Sequence, residues 1–253
     1  MKVGLNLYSI RQFIQTEEDF LKTALKLKEM GYDFIQFSGA TFDPEMIKRV
    51  SEKSALPVVL THIPETRLYE ETLKIMDGHK LLNCKNIGLG GIKASLASDE
   101  NIIKEKVNSL NELGKTFYEN GFKFFYHTHH FDFFKHNGKT NLDYMLENAP
   151  YVNFTADIYW FQYGGVSITE YLKKMKGRVD CVHLKDYKLL WHEERYVPSY
   201  CALGDGTINF KSVIKACKKA KVKHFIVEQD NAGEYEKPFD EIKKSIDFLR
   251  KNF

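Results

Sequence analysis

The sequence has no pair of cysteines at a metal-binding or redox spacing. Its four cysteines are Cys84, Cys181, Cys201 and Cys217, and no CxxC motif occurs. This argues against a zinc knuckle and against a thioredoxin-type pair. Cys181 and Cys217 fall within apolar patterns, which is typical of small core residues rather than of reactive thiols.

The sequence also lacks a long apolar run. No stretch approaches the roughly 20 apolar residues that a membrane helix needs. The first residues, MKVGLNLYSIRQ, lack the apolar core of a signal peptide. We therefore expect no membrane partner and a cytoplasmic location.

Charge of one sign is not in large excess. The chain has 37 Lys and Arg against 34 Asp and Glu, a net charge of +3. Nucleic-acid-binding domains usually carry a strong basic excess on one face, whereas these lysines recur on the polar faces of predicted helices, as on a solvated surface. The sequence therefore argues against a nucleic-acid partner.

What the chain does contain is a regular alternation of short apolar strands and amphipathic helices. The predicted strands cover residues 3–9, 33–38, 57–62, 86–89, 123–127, 152–157, 179–183 and 224–228. Eight strands alternating with eight helices over 253 residues predict an α/β fold, a (β/α)8 TIM barrel. No linker, repeat or compositional break occurs, so we expect one domain spanning residues 1–253.

A doubly wound open sheet is the alternative architecture. It would normally place a glycine-rich phosphate loop after the first strand, and the sequence there, NLYSIRQ, has no glycine. Residues 65–82 are predicted as one helix. Residues 185–205 are predicted as an unusually long connection, of the kind that is usually functional or mobile.

Polar side chains end five of the predicted strands. They are His62, His127, Asp157, His183 and Glu228. The active site of a (β/α)8 barrel lies at these carboxyl ends, and a barrel interior is otherwise mainly apolar, so polar residues there need a reason.

Four of these residues come from consecutive strands and are metal-ligand types. Two imidazoles and two carboxylates, from His127, Asp157, His183 and Glu228, suit Mn, Co, Zn, Fe or Ni better than Mg. The sequence therefore predicts one divalent metal ion, with Mn, Co or Zn foremost.

Each residue also has a structural interpretation when taken singly. HTHH could be a solvated loop that starts at His127, Asp157 could cap the following turn, and Glu228 could pair with Lys185. His129 would replace His127 as the ligand if the fifth strand ended later, while His130 and His136 are expected to lie outside the site.

Glycines and aromatic residues near the strand ends give weaker signals. Gly88, Gly90 and Gly91 favour a tight turn over a phosphate cradle, because neither a GxGxxG nor a Walker spacing is present. Tyr8, Trp160 and Trp191 could form the wall of a sugar pocket by stacking, or simply pack.

The order and spacing of several motifs point to a known family. They are GLNLYSIR, MGYDFIQFSG, YHTHHFDF, ADIYWFQYGG, VHLKD, LGDGTINF and IVEQD. Together they resemble the xylose-isomerase-like (β/α)8 superfamily, in its sugar phosphate isomerase/epimerase branch, over nearly the whole chain.

The resemblance implies a divalent metal held by Glu, Asp, His and Glu. The matching positions are His127, Asp157, His183 and Glu228, so the first position departs from the family pattern. In well-understood epimerases of the family the two metal-bound glutamates also form the acid/base pair, and that mechanism does not carry over directly to a chain with His127. Lys185 matches the lysine of the family's HxK motif and is expected to face the substrate, and Trp160 stands where some epimerases have a substrate-binding His.

The sequence and the resemblance together predict a metal-dependent isomerase or epimerase. It would act on a sugar, keto-sugar or polyol derivative through an enediolate. The catalytic candidates are Glu228 as the first base, His127 or His129 on the other face, and Lys185 near the developing charge. The substrate-binding candidates are Asn6, Tyr8, His62, Trp160 and Lys185.

Three other functions are considered. A lyase or dehydratase could use the same enolate, and a non-catalytic barrel could bind a ligand without turnover. An endonuclease-IV-like enzyme would need three metals, many more ligands and a basic groove, which the balanced charge argues against. A small-molecule carbohydrate is the expected partner, and a homo-oligomer remains compatible with the sequence.

Overall fold

Eight parallel strands form a closed barrel in the computed structural model, which describes all residues 1–253. Hydrogen bonds join the strands in sequence order, and the last strand pairs with the first, Val227 opposite Leu5. The barrel fold predicted from the alternation of strands and helices is confirmed. The strands are β1 (Val3–Asn6), β2 (Phe34–Phe37), β3 (Val58–His62), β4 (Asn86–Leu89), β5 (Lys123–His127), β6 (Val152–Asp157), β7 (Cys181–Leu184) and β8 (His224–Val227).

Ten helices lie between and around the strands. They are α1 (Glu17–Glu29), α2 (Pro44–Ser54), α3 (Glu65–Glu70), α4 (Thr72–Leu81), α5 (Glu100–Glu119), α6 (Asn141–Asn148), α7 (Ile158–Tyr163), α8 (Ile168–Lys174), α9 (Phe210–Ala220) and α10 (Pro238–Asn252). Their starts follow local chemistry, since the Thr16 hydroxyl accepts from the Asp19 amide at 3.1 Å and donates to the Asp19 carboxylate at 2.8 Å. None of the helices combines the length and the apolarity that a bilayer crossing requires.

Three helical segments differ from the sequence-based prediction. The first strand ends at Asn6 and continues as a 3-10 helix, Leu7–Phe13, because the Asn6 side chain accepts from the Tyr8 amide and turns the chain. The helix predicted over 65–82 is divided at Glu71, where φ is −121°. Helix α7 was not predicted, and it begins where Asp157 caps it.

The segment predicted as a long irregular connection is instead a β-hairpin. Its strands, Asp186–His192 and Arg195–Cys201, pair in antiparallel register. The turn residues Glu193 and Glu194 both have positive φ, 48° and 60°, as in the two-residue turns whose twist matches a hairpin.

The interior of the barrel is divided into an apolar layer and a polar layer. The apolar layer is a separate cluster of buried residues, namely Phe34, Leu60, Phe125, Cys181 and Ile226. Two residues further along each of these strands comes a polar side chain, namely Gln36, His62, His127, His183 and Glu228. Side chains two residues apart on a strand share a face, so the polar layer lies directly on the apolar one.

Glycine completes the apolar layer on β1. A Cβ at Gly4 would lie 2.2 Å from the Phe34 ring, so only glycine leaves room for that ring. The polar layer therefore rests on a filled core rather than on an open pore.

Candidate metal centre

Four buried side chains, three from the polar layer and one from the end of β6, bring one ligand atom each to a common volume. They belong to His127 at the end of β5, Asp157 at the end of β6, His183 within β7 and Glu228 directly after β8. The four atoms lie within 4.8 Å of one another. His127 is only 5% exposed, so the interpretation of HTHH as a solvated loop starting at His127 is wrong.

Asp157 has two separate tasks, one for each carboxylate oxygen. Its Oδ1 accepts from the amides of Tyr159 at 2.9 Å and Trp160 at 3.2 Å, which caps α7. Its Oδ2 turns the other way, toward His127. Capping and the proposed ligation are therefore compatible, because the cap fixes the orientation of the free oxygen.

Glu228 is held in the same way by a neighbour on β1. Its Oε1 accepts from the Asn6 side-chain amide at 2.6 Å, and the Asn6 carbonyl oxygen in turn accepts from Ser38 and from the Tyr8 amide. Glu228 Oε2 has no hydrogen bond of ordinary geometry although it is buried. Asn6, a predicted substrate-binding residue, thus orients Glu228 as well as lining the cavity described below.

Gln36 on β2 fixes the ring of His183, and sequence reasoning did not find it. The Gln36 carbonyl oxygen lies 2.7 Å from His183 Nε2 and can only accept, so Nε2 carries the proton and Nδ1 keeps its lone pair. The Gln36 amide nitrogen donates to His62 Nε2 at 3.1 Å. Gln36 lies two residues beyond Phe34, and that spacing was the signal that could have identified it.

The chemistry of these four side chains fits a divalent cation. His183 Nδ1 lies 3.1 Å from His127 Nε2 and 2.9 Å from Glu228 Oε2, and His127 Nε2 lies 3.4 Å from Asp157 Oδ2. Electron-pair donors crowded this closely are stabilised by positive charge among them, and the Lys185 ammonium lies 3.0 Å from both Asp157 Oδ2 and Glu228 Oε2. Two imidazoles and two carboxylates suit Mn, Co, Zn, Fe or Ni better than Mg.

Burial lowers the pKa of two imidazoles in this layer, those of His127 and His62. Burial lowers the pKa of His127 well below its usual range, and the neighbouring His183 lowers it further. Burial, with His127 and His183 nearby, does the same to the pKa of His62. Neutral imidazole is the form that binds metals.

Lys185 lies inside the site and contacts three carboxylates. Its Nζ is 3.0 Å from Asp157 Oδ2, 3.0 Å from Glu228 Oε2 and 3.2 Å from Asp230 Oδ2. Burial alone would lower the pKa of Lys185, but the three carboxylates hold it well above its usual range. The pairing of Glu228 with Lys185, one of the structural interpretations of the sequence, is therefore present.

A cavity of about 1070 Å³ opens above the metal-ligand cluster. It is lined by the predicted catalytic and substrate-binding residues that face the barrel mouth, namely Asn6, Tyr8, His62, His127, His129, Trp160, Lys185 and Glu228. Trp191 is not among its lining residues, and its side chain is 64% exposed on the hairpin. The prediction that Trp191 stacks in this pocket is wrong.

His129 lies beside the cluster but contributes no ligand atom to it. Its ring stacks on Phe131, and its buried Nδ1 has no hydrogen-bond partner. The glycine turn after β4 leaves room for this ring, because a Cβ at Gly91 would lie 2.8 Å from it. The turn thus serves the packing of the histidines, in line with the tight turn favoured over a phosphate cradle.

Solved structures with the same fold match this chain over almost its whole length. A sugar phosphate isomerase/epimerase from Parabacteroides distasonis superposes with a TM-score of 0.82 at 18% identity, covering 99% of this chain and 94% of that one. D-allulose 3-epimerase from Methylomonas sp., in complex with D-allulose, gives a TM-score of 0.72 at 14% identity, covering 100% and 97%. A probable 3-DHS dehydratase from Bacillus anthracis gives 0.73 at 14% identity, covering 100% of both chains.

Sequence comparison gives a family but no curated relative. A search of curated proteins found no match to this sequence. A family model described as "Xylose isomerase-like TIM barrel" matches residues 24–252, which is most of the chain. The protein therefore belongs to the xylose isomerase-like TIM barrel family.

Proposed function

We propose that this protein is a divalent-metal-dependent isomerase or epimerase. Its substrate is a sugar, keto-sugar or polyol derivative, and its reaction passes through an enediolate. The observation that carries the proposal is the convergence of ligand atoms from His127, Asp157, His183 and Glu228 within 4.8 Å. Two of these residues, His127 and Glu228, also line a large cavity. A bound Mn, Co or Zn ion would supply Lewis-acid stabilisation of the enediolate oxygens.

The residues around the cluster have separate roles in this proposal. Glu228 is the first candidate base, because its carboxylate lines the cavity. His129 is the candidate for proton transfer or hydrogen bonding on another wall, since its Nδ1 has no partner. His127 holds the metal where related epimerases have a glutamate, so the second proton-transfer group must differ from theirs.

Lys185 and Trp160 complete the proposed substrate site. The Lys185 ammonium lies 5.3 Å from the centre of the Trp160 ring, and both residues line the cavity. The ammonium would stabilise negative charge that develops on substrate oxygens, and the indole face would pack against the apolar face of a sugar ring. Tyr8 and His62 line the cavity as further candidates for substrate binding.

Similar solved structures support both the proposed isomerase or epimerase and its main alternative, a lyase. The similarity to sugar isomerases and epimerases, including one complex with D-allulose, supports the isomerase or epimerase. The similarity to a probable dehydratase supports a lyase, in which the same enolate expels a β-hydroxyl group. Incubation with candidate ketoses in D₂O distinguishes the two. Solvent deuterium at the α-carbon of an intact sugar supports the proposal, and loss of water from the sugar supports the alternative.

Metal analysis tests the site itself. Asp157→Ala and Glu228→Ala should each abolish bound metal, measured by elemental analysis of protein purified without chelator, while circular dichroism shows a folded barrel. Glu65→Ala is the matched control, because Glu65 lines the cavity but pairs with Lys106 away from the cluster. Full metal content in both site variants would show that the site is misassigned.

A further inference from the structure

Lys185 is an unusual residue to find at the floor of a proposed cation site. Its side chain is 1% exposed, and its ammonium contacts Asp157 Oδ2 and Glu228 Oε2 at 3.0 Å each. Both carboxylates belong to the four predicted ligand residues. A buried ammonium between two carboxylates neutralises charge that would otherwise destabilise the folded chain strongly.

A divalent ion bound to the same two oxygens would meet the ammonium at close range. Metal–oxygen distances in such sites are about 2.0–2.2 Å, so two positive charges would share two carboxylates that are both buried. Like charges at that separation and low dielectric repel strongly. The ion and the ammonium therefore compete for Asp157 and Glu228.

Asp230 offers the ammonium a second position. Its Oδ2 lies 3.2 Å from Lys185 Nζ, and its side chain is 27% exposed at the cavity. The rings of Trp160 and Tyr200 lie 5.3 Å and 5.2 Å from Nζ, so a shift toward the cavity keeps the ammonium near aromatic faces that attract cations.

We propose that Lys185 is an internal competitor for the metal, and that metal binding transfers its ammonium from Asp157 and Glu228 to Asp230. This inference rests on the metal site of the proposed function. The ammonium, which already lines the cavity, would give up Asp157 and Glu228 and keep only its contact with Asp230 once the metal is bound. Asp230, to which neither the sequence nor the proposed chemistry assigned a task, becomes the acceptor of the displaced charge.

A double-mutant cycle on Mn²⁺ affinity tests this transfer without measuring turnover. Chelator-treated full-length protein is titrated with Mn²⁺ by calorimetry as wild type, Lys185→Met, Asp230→Asn and the double variant. Lys185→Met should tighten Mn²⁺ binding about tenfold, because no ammonium must be displaced. Asp230→Asn should weaken it about tenfold, and this effect should fall below about threefold in the Lys185→Met background.

Two further variants guard against general charge effects. Lys93→Met removes one charge from another cavity-lining lysine that makes no ion pair, and should leave the Mn²⁺ affinity unchanged. Lys185→Arg keeps the positive charge and should bind Mn²⁺ about as the wild type does. In chelator-treated protein, Lys185→Met should also melt at a lower temperature than wild type, and Mn²⁺ should raise its melting temperature by the larger amount.

The outcomes separate this inference from the proposed function. Mn²⁺ binding that is unchanged or weaker in Lys185→Met, or an Asp230→Asn effect of equal size in both backgrounds, overturns the competition while the metal site stands. Absence of Mn²⁺ binding in every variant overturns the metal site and the competition together. If Lys185→Met does not fold, Asp230→Asn decides alone: weaker binding supports the transfer, and unchanged binding overturns it.

Discussion

Gln36 connects two histidines of the barrel interior through a single side-chain amide. Its oxygen accepts from His183 and its nitrogen donates to His62. The contact with His183 spans 147 residues of sequence, so no local pattern around either residue predicts the partner. The amide selects which nitrogen of His183 is free, and second-layer contacts of this kind orient ligands in most metal sites.

Replacing Gln36 by Met should weaken metal binding without unfolding the barrel. The variant keeps the volume and removes the acceptor, so the His183 ring loses its fixed tautomer, and Mn²⁺ affinity should fall by roughly 10–100-fold. Calorimetric titration measures the change. Thr61→Val on the adjacent strand is the control, because Thr61 bonds His79 rather than the metal ligands. Equal Mn²⁺ affinity in wild type and Gln36→Met would refute the positioning role.

His79 gives a residue-scale prediction away from the site. Burial lowers the pKa of His79 to about 4, with the carbonyl of Ile75 acting in the opposite direction. In the unfolded chain the imidazole takes up a proton near pH 6.5, whereas the folded chain resists protonation until about pH 4. The unfolded state therefore binds more protons in this window, and stability falls as the pH is lowered from 6.5 to 4.

His79→Gln should remove part of this acid sensitivity. Glutamine can keep hydrogen bonds to Thr61 and Ile75 but does not titrate, so about 2 kcal/mol of the stability lost between pH 7 and pH 4.5 should be retained. Urea unfolding at pH 7 and pH 4.5 measures the difference for each protein. The other buried histidines still titrate in the variant, so its curve becomes flatter rather than flat. An equal loss of unfolding free energy between pH 7 and pH 4.5 in the two proteins would contradict the lowered pKa of His79.

At the scale of elements, the hairpin after β7 depends on one buried carboxylate at its base. Asp186 Oδ1 accepts from the amides of Tyr187 and Ile208, and Oδ2 accepts from those of Gly204 and Gly206. A Cβ at Gly206 would lie 2.2 Å from Asp186 Oδ1, so glycine is needed for this close approach. The carboxylate thus joins the hairpin to the loop that precedes α9.

Asp186→Asn should loosen this junction selectively. In the variant an NH₂ group replaces one carboxylate oxygen and faces two backbone N–H donors, so the hydrogen bonds to that oxygen are lost. The lost bonds and the facing donors should lower the free energy of unfolding by about 2–3 kcal/mol. Hydrogen exchange should become faster over residues 186–208 and stay unchanged in β1 to β6. Asp205→Asn, an exposed change in the same loop, is the control. Uniform exchange across the whole barrel in Asp186→Asn would argue against a local anchor.

On the scale of the whole molecule, the sequence predicted the barrel and the convergence of four polar side chains because both follow from local periodicity. A strand that alternates between two faces places its last inward residue at the barrel mouth, and this identified His127, Asp157, His183 and Glu228. The burial of Lys185, the place of Gln36 and the exposure of Trp191 depend on contacts between distant segments. The hairpin was missed because its pairing partners, Asp186–His192 and Arg195–Cys201, lie in a connection whose length alone suggested an irregular loop.

The apolar layer below the ligands should support both stability and metal binding. Phe125 is fully buried and lies two residues before His127 on β5. Phe125→Ala should lower the free energy of unfolding by about 3–5 kcal/mol through lost burial and a residual cavity. Denaturant unfolding measures this, and Tyr118→Ala, at a side chain 65% exposed, is the control. A loss under ~1 kcal/mol would mean that the layer is not tightly packed.

The filled layer of Phe34, Leu60, Phe125, Cys181 and Ile226 also decides how molecules reach the reaction centre. Because this layer closes the barrel beneath the cluster of His127, Asp157, His183 and Glu228, the cavity above it opens on one side only, the side where the hairpin lies. For the proposed enzyme, a product would have to leave through this opening before the next substrate could enter. Changes at that opening would alter turnover and selectivity while the closed half keeps the scaffold intact.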